Sequence, residues 1–215
     1  MSFDAFLKLD FQPSRITFAG GLILVRELDE RHGFGELIDQ HLTDSRRGKN
    51  TQFPFADLLR QSVYSCLAGY EDFNDAQRLS QGPTFRLVGS EKVWDRGAAL
   101  TSRLKSFATE MLVEEESFAG LAGLNRALIG RATSVGSGER TTLDMDSTEI
   151  PVYGKQEQRA YNRHFESTCY HPLLFFNREG DCLAAKLHPG NVTVPKAGER
   201  FCCPRLSGSR KRRPS

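Results

Sequence analysis

The chain has 215 residues, 39% hydrophobic and 26% charged, enough apolar material for a sizeable core in one or two domains. No apolar run approaches the roughly 20 residues needed to cross a bilayer, and the start, Met1 to Asp10, lacks a signal peptide's basic and then long apolar segments, so a cytoplasmic protein with no membrane partner is expected. The net charge of +2 is uneven: residues 196–215 hold seven Lys or Arg against the single Glu199, a local +6, while the rest carries −4, so charge alone gives no whole-protein argument for nucleic-acid binding.

After Gly20-Gly21, the run Leu22 to Leu28 continuing to Gly33, then Leu37-Ile38 to Leu42, is a broken amphipathic pattern that predicts two short helices. The polar stretch Thr43 to Asn50 is expected to be a loop. A clearer helix starts near Phe55, with Leu58, Leu59, Val63, Tyr64 and Leu67 on one stripe and Gly69 placed to end it. The run Glu71-Asp72-Phe73-Asn74-Asp75 lacks the alternating ligands and terminal Glu of a calcium loop and is read as a helix start rich in capping groups. Met111, Leu112, Phe118, Leu121, Leu124 and Leu128 predict two more helices, the earlier one opening near Thr101-Ser102, both suitable N-caps.

Between Gly130 and Gly138 the small-residue run Gly-Arg-Ala-Thr-Ser-Val-Gly-Ser-Gly has the composition of a connector. Strands are expected beyond it: Thr141 to Thr148, then a hairpin of Pro172–Phe176 and Cys182–Leu187 around the turn Asn177 to Asp181. The first strand carries Asp144 and Asp146. Side chains alternate along a strand, so these two carboxylates share one face while Leu143 and Met145 take the other. On a half-buried surface two like charges need compensation, and a hard divalent cation would supply it. The five cysteines, Cys66, Cys169, Cys182, Cys202 and Cys203, are odd in number and lack C-x-x-C spacing. They read as reduced thiols, and a cluster of Cys182, His188, Cys202 and Cys203 is the less favoured reading.

Taken together, LDMDSTEIPVYGKQEQRAYNRHFESTCYHPLLFFNREGDCLAAKLHPGN, residues 143–191, resembles the start of the catalytic domain of bacterial insertion-sequence transposases with DDE, ribonuclease-H-like domains. The order of parts carries the resemblance: Asp-x-Asp-Ser-Thr, Gly154 with Gln156, Tyr161-Asn162-x-His164, Tyr170 with Pro172, and Pro189-Gly190-Asn191. Upstream, Ala68-Gly69-Tyr70-Glu71-Asp72-x-Asn74-Asp75 and Phe85-Arg86 resemble the group's helical region. The resemblance implies an α+β fold, mainly helical at first and then the first strands of a ribonuclease-H-like mixed sheet. It divides the chain into a helical region at 1–130 for DNA-end binding or dimerisation, a linker at 131–139, the start of the DDE domain at 140–191, and an aberrant basic tail at 192–215.

It further implies metal-dependent DNA strand cleavage and transfer, with Mg2+ or Mn2+ as cofactor, the element's terminal repeats as DNA partner, a homodimer, and a nucleoid-associated place in the bacterial cytoplasm. Such enzymes hold two cations about 3.5 to 4 Å apart between three carboxylates. Asp146, directly before Ser147-Thr148, is the candidate catalytic residue and metal ligand, and Asp144 is the second metal candidate. The bland alternative for both is the solvated face of an edge strand. Glu149 points away from Asp146 and is read as half of a surface pair. Gln156 and His164 are candidates for DNA contact, with a loop-shaping hydrogen bond as the alternative for each. Tyr161 and Tyr170 are read as core or loop anchors.

The family also needs a second Asp and a Glu on later elements, and neither has a counterpart after Asn191. The chain is therefore expected to be truncated or frameshifted near Val192 and inactive alone. The alternative is a non-catalytic DNA-binding or dimerising fragment that modulates intact transposase. A helical regulatory module with a small sheet, binding protein or ligand, is a third reading, but no phosphate loop, catalytic triad order or zinc spacing specifies its ligand.

Overall fold

A computed structural model describes residues 1–8, 10, 19–46, 51–70, 72–133 and 143–192. The chain divides into two compact units, Met1–Gly136 and Ser137–Ser215. The first is helical and the second holds a five-stranded antiparallel sheet, which makes the fold α+β. Most of the connector at 131–139, and all of the tail after Val192 with Cys202 and Cys203, lie outside the described residues.

In the helical unit α1 (Leu22–Arg31) and α2 (Phe34–His41) match the broken amphipathic pattern and are separated by Gly33 at φ +61, a left-handed position that favours glycine. The burial of α1 does not follow its apolar run. Leu24 and Leu28 are 49% and 54% exposed, whereas Asp29 is buried. Asp29 turns inward because α3 (Phe55–Leu67) offers it partners: the Arg60 Nε donates to it at 2.9 Å and the Tyr64 hydroxyl at 2.6 Å. Burial works against the Arg60 charge, and the hydrogen bond and charge of Asp29 outweigh it and raise the Arg60 pKa. Burial first, and then Asp29, drive the Tyr64 phenol upward.

Along α3 the predicted stripe holds for Leu58, Leu59 and Tyr64 but fails for Val63 and Leu67, which are exposed. Gln61 is inward instead. Its amide pairs both ways with the Ala99 backbone, donating to the carbonyl at 2.7 Å and accepting from the N–H at 2.8 Å, so no polar atom is stranded. Gly69, at φ +84, ends the helix as expected.

Asp72 caps a 3-10 turn, Phe73–Asp75, by accepting from the Asn74 N–H at 2.9 Å, and α4 (Ala76–Ser80) follows. Next come α5 (Pro83–Val88) and α6 (Glu91–Arg96), each too short to show a helical period in sequence. Then α7 (Thr101–Ser106) runs into a π-type turn at Phe107–Met111, and α8 (Glu115–Ala132) closes the unit. The N-cap of α7 is Leu100, and the Thr101 hydroxyl is spent on the Phe73 carbonyl at 2.8 Å. Phe118, one of the apolar residues that predict α8, is 60% exposed.

Among the described residues two apolar clusters hold this unit. One gathers Ile38, Phe55, Leu58, Leu104, Phe107 and Leu124 from α2, α3, α7, α8 and the π-type turn, with Phe55 and Phe107 edge to face at 5.1 Å. The other joins Leu22 and Ile23 of α1 to Tyr64, Leu79, Phe85 and Val88. The N-terminus is tethered by Ser2, whose hydroxyl and N–H each donate to Glu27 at 2.6 Å. The Ser2 hydroxyl bond, against the cost of burial and helped by the Ser2 N–H and Arg31, lowers the Glu27 pKa from 4.5 to about 2. Because the folded value lies below the unfolded one, this tether stabilises the protein above about pH 4.5 and its contribution fades as pH falls toward 2. Glu27→Gln is expected to flatten that part of an acid-unfolding curve; an unchanged curve would show that the tether contributes nothing.

In the second unit the strands are β1 (Asp144–Ser147), β2 (Ile150–Pro151), β3 (Ala160–Asn162), β4 (Ser167–Phe176) and β5 (Cys182–Pro189). β4 is central. β1 and β2 pair with successive parts of it, and β3 and β5 pair with it as well, always antiparallel. The β4–β5 hairpin turn is locked by Asn177 and Asp181. The Asn177 Nδ2 donates to the Asp181 carboxylate, and the Asp181 N–H donates back to the Asn177 Oδ1, both at 2.7 Å. β4 starts five residues before the predicted hairpin strand, because its first residues find partners in β3. Cys169 and Leu173 form the buried centre of the sheet.

Candidate functional site

β1 lies at a sheet edge, paired on one side to β4 with Asp144 opposite Phe176 and Asp146 opposite Leu174. Directly opposed residues of an antiparallel pair share a face, so both aspartates stand on the face of Leu174 and Phe176, and Met145 and Ser147 on the other. The expectation of a half-buried strand is corrected here. Asp144, Met145 and Asp146 are all exposed, with Met145 41% and the preceding Leu143 56% accessible, so both carboxylates are open to solvent. The Asp146 carboxylate accepts from the Ser147 N–H at 2.8 Å, which orients it locally.

The donors offered by β1 suit a divalent cation in kind, since Mg2+ and Mn2+ take hard carboxylate oxygens. They fall short in number. Among the described residues no group of three or more His, Cys, Asp or Glu side chains is placed to hold a metal ion. Cys66, Cys169 and Cys182 are free thiols.

A cavity of about 610 Å3 opens on the opposite face, lined by Ser147 of β1, residues 161–165 of β3 and its hairpin loop, His171 of β4, and residues 190–192 after β5. Asn162 builds it. Buried at the end of β3, its Oδ1 accepts from the N–H groups of His164 at 2.8 Å and Phe165 at 3.2 Å, while its Nδ2 donates to the Gly190 carbonyl at 2.7 Å. One side chain thus folds the loop and pins it to the end of β5. Gly190 is required there, because a Cβ would lie 2.4 Å from the Ala160 carbonyl oxygen and 2.7 Å from that of Cys169. Across the floor, Phe165 stands edge to face with His164 at 4.9 Å and with His171 at 5.6 Å. His171 Nδ1 is 3.2 Å from the Val192 carbonyl. His188, paired with His171 across β4 and β5, has its pKa lowered by burial and then by the charges of Lys186 and His171.

The sequence candidates separate. Asp144 and Asp146 stand together on one face, His164 lines the cavity on the other, and Gln156 is exposed in the loop before β3 and lines no part of it. The loop-shaping bond comes from Asn162, the neighbour within the same motif. Tyr170 anchors a loop through its hydroxyl and the Glu157 carbonyl, whereas Tyr161 is 58% exposed and anchors nothing in the core. Glu149 accepts from the Ser167 hydroxyl at 2.6 Å and so has a hydroxyl, not a cation, as partner. Asn162 and Gly190 were legible only as members of short motifs, without a role.

No helix among the described residues is long and apolar enough to cross a membrane. Neither the curated proteins nor the solved structures yield a match to the chain. A family model described as transposase DDE domain, group 1, matches residues 2–214, a span that also takes in the basic tail. An acidic edge strand leading into an antiparallel hairpin, within a match over nearly the whole chain, identifies the protein as a member of the transposase DDE domain family.

Proposed function

We propose that the chain serves DNA transposition of a bacterial insertion sequence, that β1 is the first corner of a metal-dependent strand-cleavage and strand-transfer site, and that Asp146 is its ligand with Asp144 assisting. The observation that supports this reading is the pair of exposed carboxylates on one face of an edge strand in a chain of this family. A divalent cation bound there would activate the attacking water or 3′-hydroxyl and neutralise charge at the phosphate. Asp146, held by the Ser147 N–H, would present its free oxygen to the cation.

Two carboxylates on one strand do not enclose two metal ions, so residues 1–215 alone are inactive on this reading, and a frameshift near Val192 is the proposed origin of the tail. The helical unit recognises the terminal repeats or forms the dimer contact. The gene's nucleotide sequence downstream of codon 191 tests the origin: a frame one base away encoding a further Asp and Glu is expected, and its absence sinks the frameshift.

The site is tested with the full chain. Mn2+ binding followed by paramagnetic relaxation is expected to weaken about tenfold or more in Asp146→Asn, since losing even an outer partner of a metal ligand costs that much, while gel-shift affinity for terminal-repeat DNA stays unchanged. Equal Mn2+ affinity in the variant would remove Asp146 from the site. Cleavage of repeat-bearing plasmid by the wild-type chain would overturn the claim that further carboxylates are required.

A further inference from the structure

We infer that the cavity between β1, the β3–β4 hairpin loop and the end of β5 receives an unstacked nucleotide of the DNA, its base against the His164 and Phe165 rings and its phosphate on Arg163. The inference rests on the DNA-processing reading above and goes beyond it by assigning a second nucleic-acid site on the face of the sheet away from Asp146. The volume of about 610 Å3 falls within the range of small-ligand sites. Its wall carries three aromatic rings, His164, Phe165 and His171, with successive rings turned 69° and 72° to each other, so a base of any type can stack on one ring, the exposed His164 being the accessible one.

The polar groups around that wall remain available. Asn162 is consumed by its three hydrogen bonds, but the Arg163 guanidinium, the His164 ring nitrogens and the Ser147 hydroxyl have no side-chain partner among the described residues. No Asp or Glu lines the cavity, so among the lining side chains an anion meets the Arg163 cation and no carboxylate. A planar ring beside a negative charge is the ligand that this combination fits. A base taken out of a duplex gains stacking and edge hydrogen bonds in such a pocket. Placement agrees: Ser147, at the cavity rim, follows Asp146 directly, about 3.8 Å along the chain, and β1 is an edge strand that a DNA backbone can cross.

The test measures fluorescence anisotropy of the full chain with labelled hexathymidylate and with a duplex of terminal-repeat sequence. Arg163 and His164 are both exposed, so their replacement does not disturb the core, and thermal melting of each variant verifies this. Arg163→Ala and His164→Ala are each expected to weaken the single strand about tenfold or more, the scale of losing a base-stacking or phosphate partner, with much smaller effects on the duplex. Arg178→Ala, an exposed cation in the β4–β5 turn, serves as the charge control and should change both little. Unchanged single-strand affinity in Arg163→Ala and His164→Ala, or an equal loss in Arg178→Ala, overturns the cavity assignment while duplex binding leaves the functional reading standing. A wild-type chain that binds neither DNA overturns both.

Discussion

Replacing Asp29 by Ala is expected to destabilise the helical unit by about 3 kcal/mol, the lower end of the cost of breaking a buried ion pair, because Asp57 stays 4.0 Å from Arg60. Asp29 is 7% exposed and takes the Arg60 Nε at 2.9 Å, the Arg60 Nη2 at 3.3 Å and the Tyr64 hydroxyl at 2.6 Å. Its removal leaves the Arg60 guanidinium, whose side chain is only 14% exposed, with Asp57 at 4.0 Å as a remaining carboxylate, and leaves a buried phenol without this acceptor. Urea unfolding of the full chain, followed by helical circular dichroism, reads the effect. Tyr64→Phe removes one hydrogen bond and should cost about 1 kcal/mol. The double change Asp29→Leu with Arg60→Met, which removes both charges of the pair, should recover part of the loss. A loss below about 1 kcal/mol for Asp29→Ala would mean that water already solvates Arg60, and that the inward turn of α1 has another cause.

The periodicity of α1, α2 and α3 was legible because each has two or more turns to repeat over. Which face of α1 is buried was not, since Leu24 and Leu28 point out and Asp29 points in on account of partners on α3 about thirty residues later. Five- and six-residue helices such as α4, α5 and α6 carry too few residues for a period, and β2 and β3 too few for alternation. The acidic strand and the hairpin were legible from alternation and turn chemistry. The exposure of β1 was not, because burial belongs to the assembled sheet. The cavity was the least visible feature: its walls come from separate segments spanning residues 147–192, and only the register of β4 brings them together.

Gly190→Ala tests that assembly, with an expected loss of roughly 1–3 kcal/mol, as for overpacking in a well-filled site. The added Cβ would meet the Ala160 carbonyl oxygen at 2.4 Å and the Cys169 carbonyl oxygen at 2.7 Å, both backbone atoms of paired strands that cannot swing aside as a flexible side chain does. Moving Gly190 also strains two bonds at once, its N–H to Cys169 at 3.1 Å and the Asn162 amide to its carbonyl at 2.7 Å. The damage should therefore spread into the 162–165 loop, and amide hydrogen exchange at residues 160–171 should quicken while the helical unit stays protected. Gly130→Ala, in α8 with no atom within 4 Å of the new Cβ, is the matched control and should stabilise the chain by up to about 1 kcal/mol through helix propensity. The pair separates space from backbone freedom. If both variants behave alike, the close approach at Gly190 does not hold the hairpin loop to β5, and the cavity must be shaped by Asn162 alone.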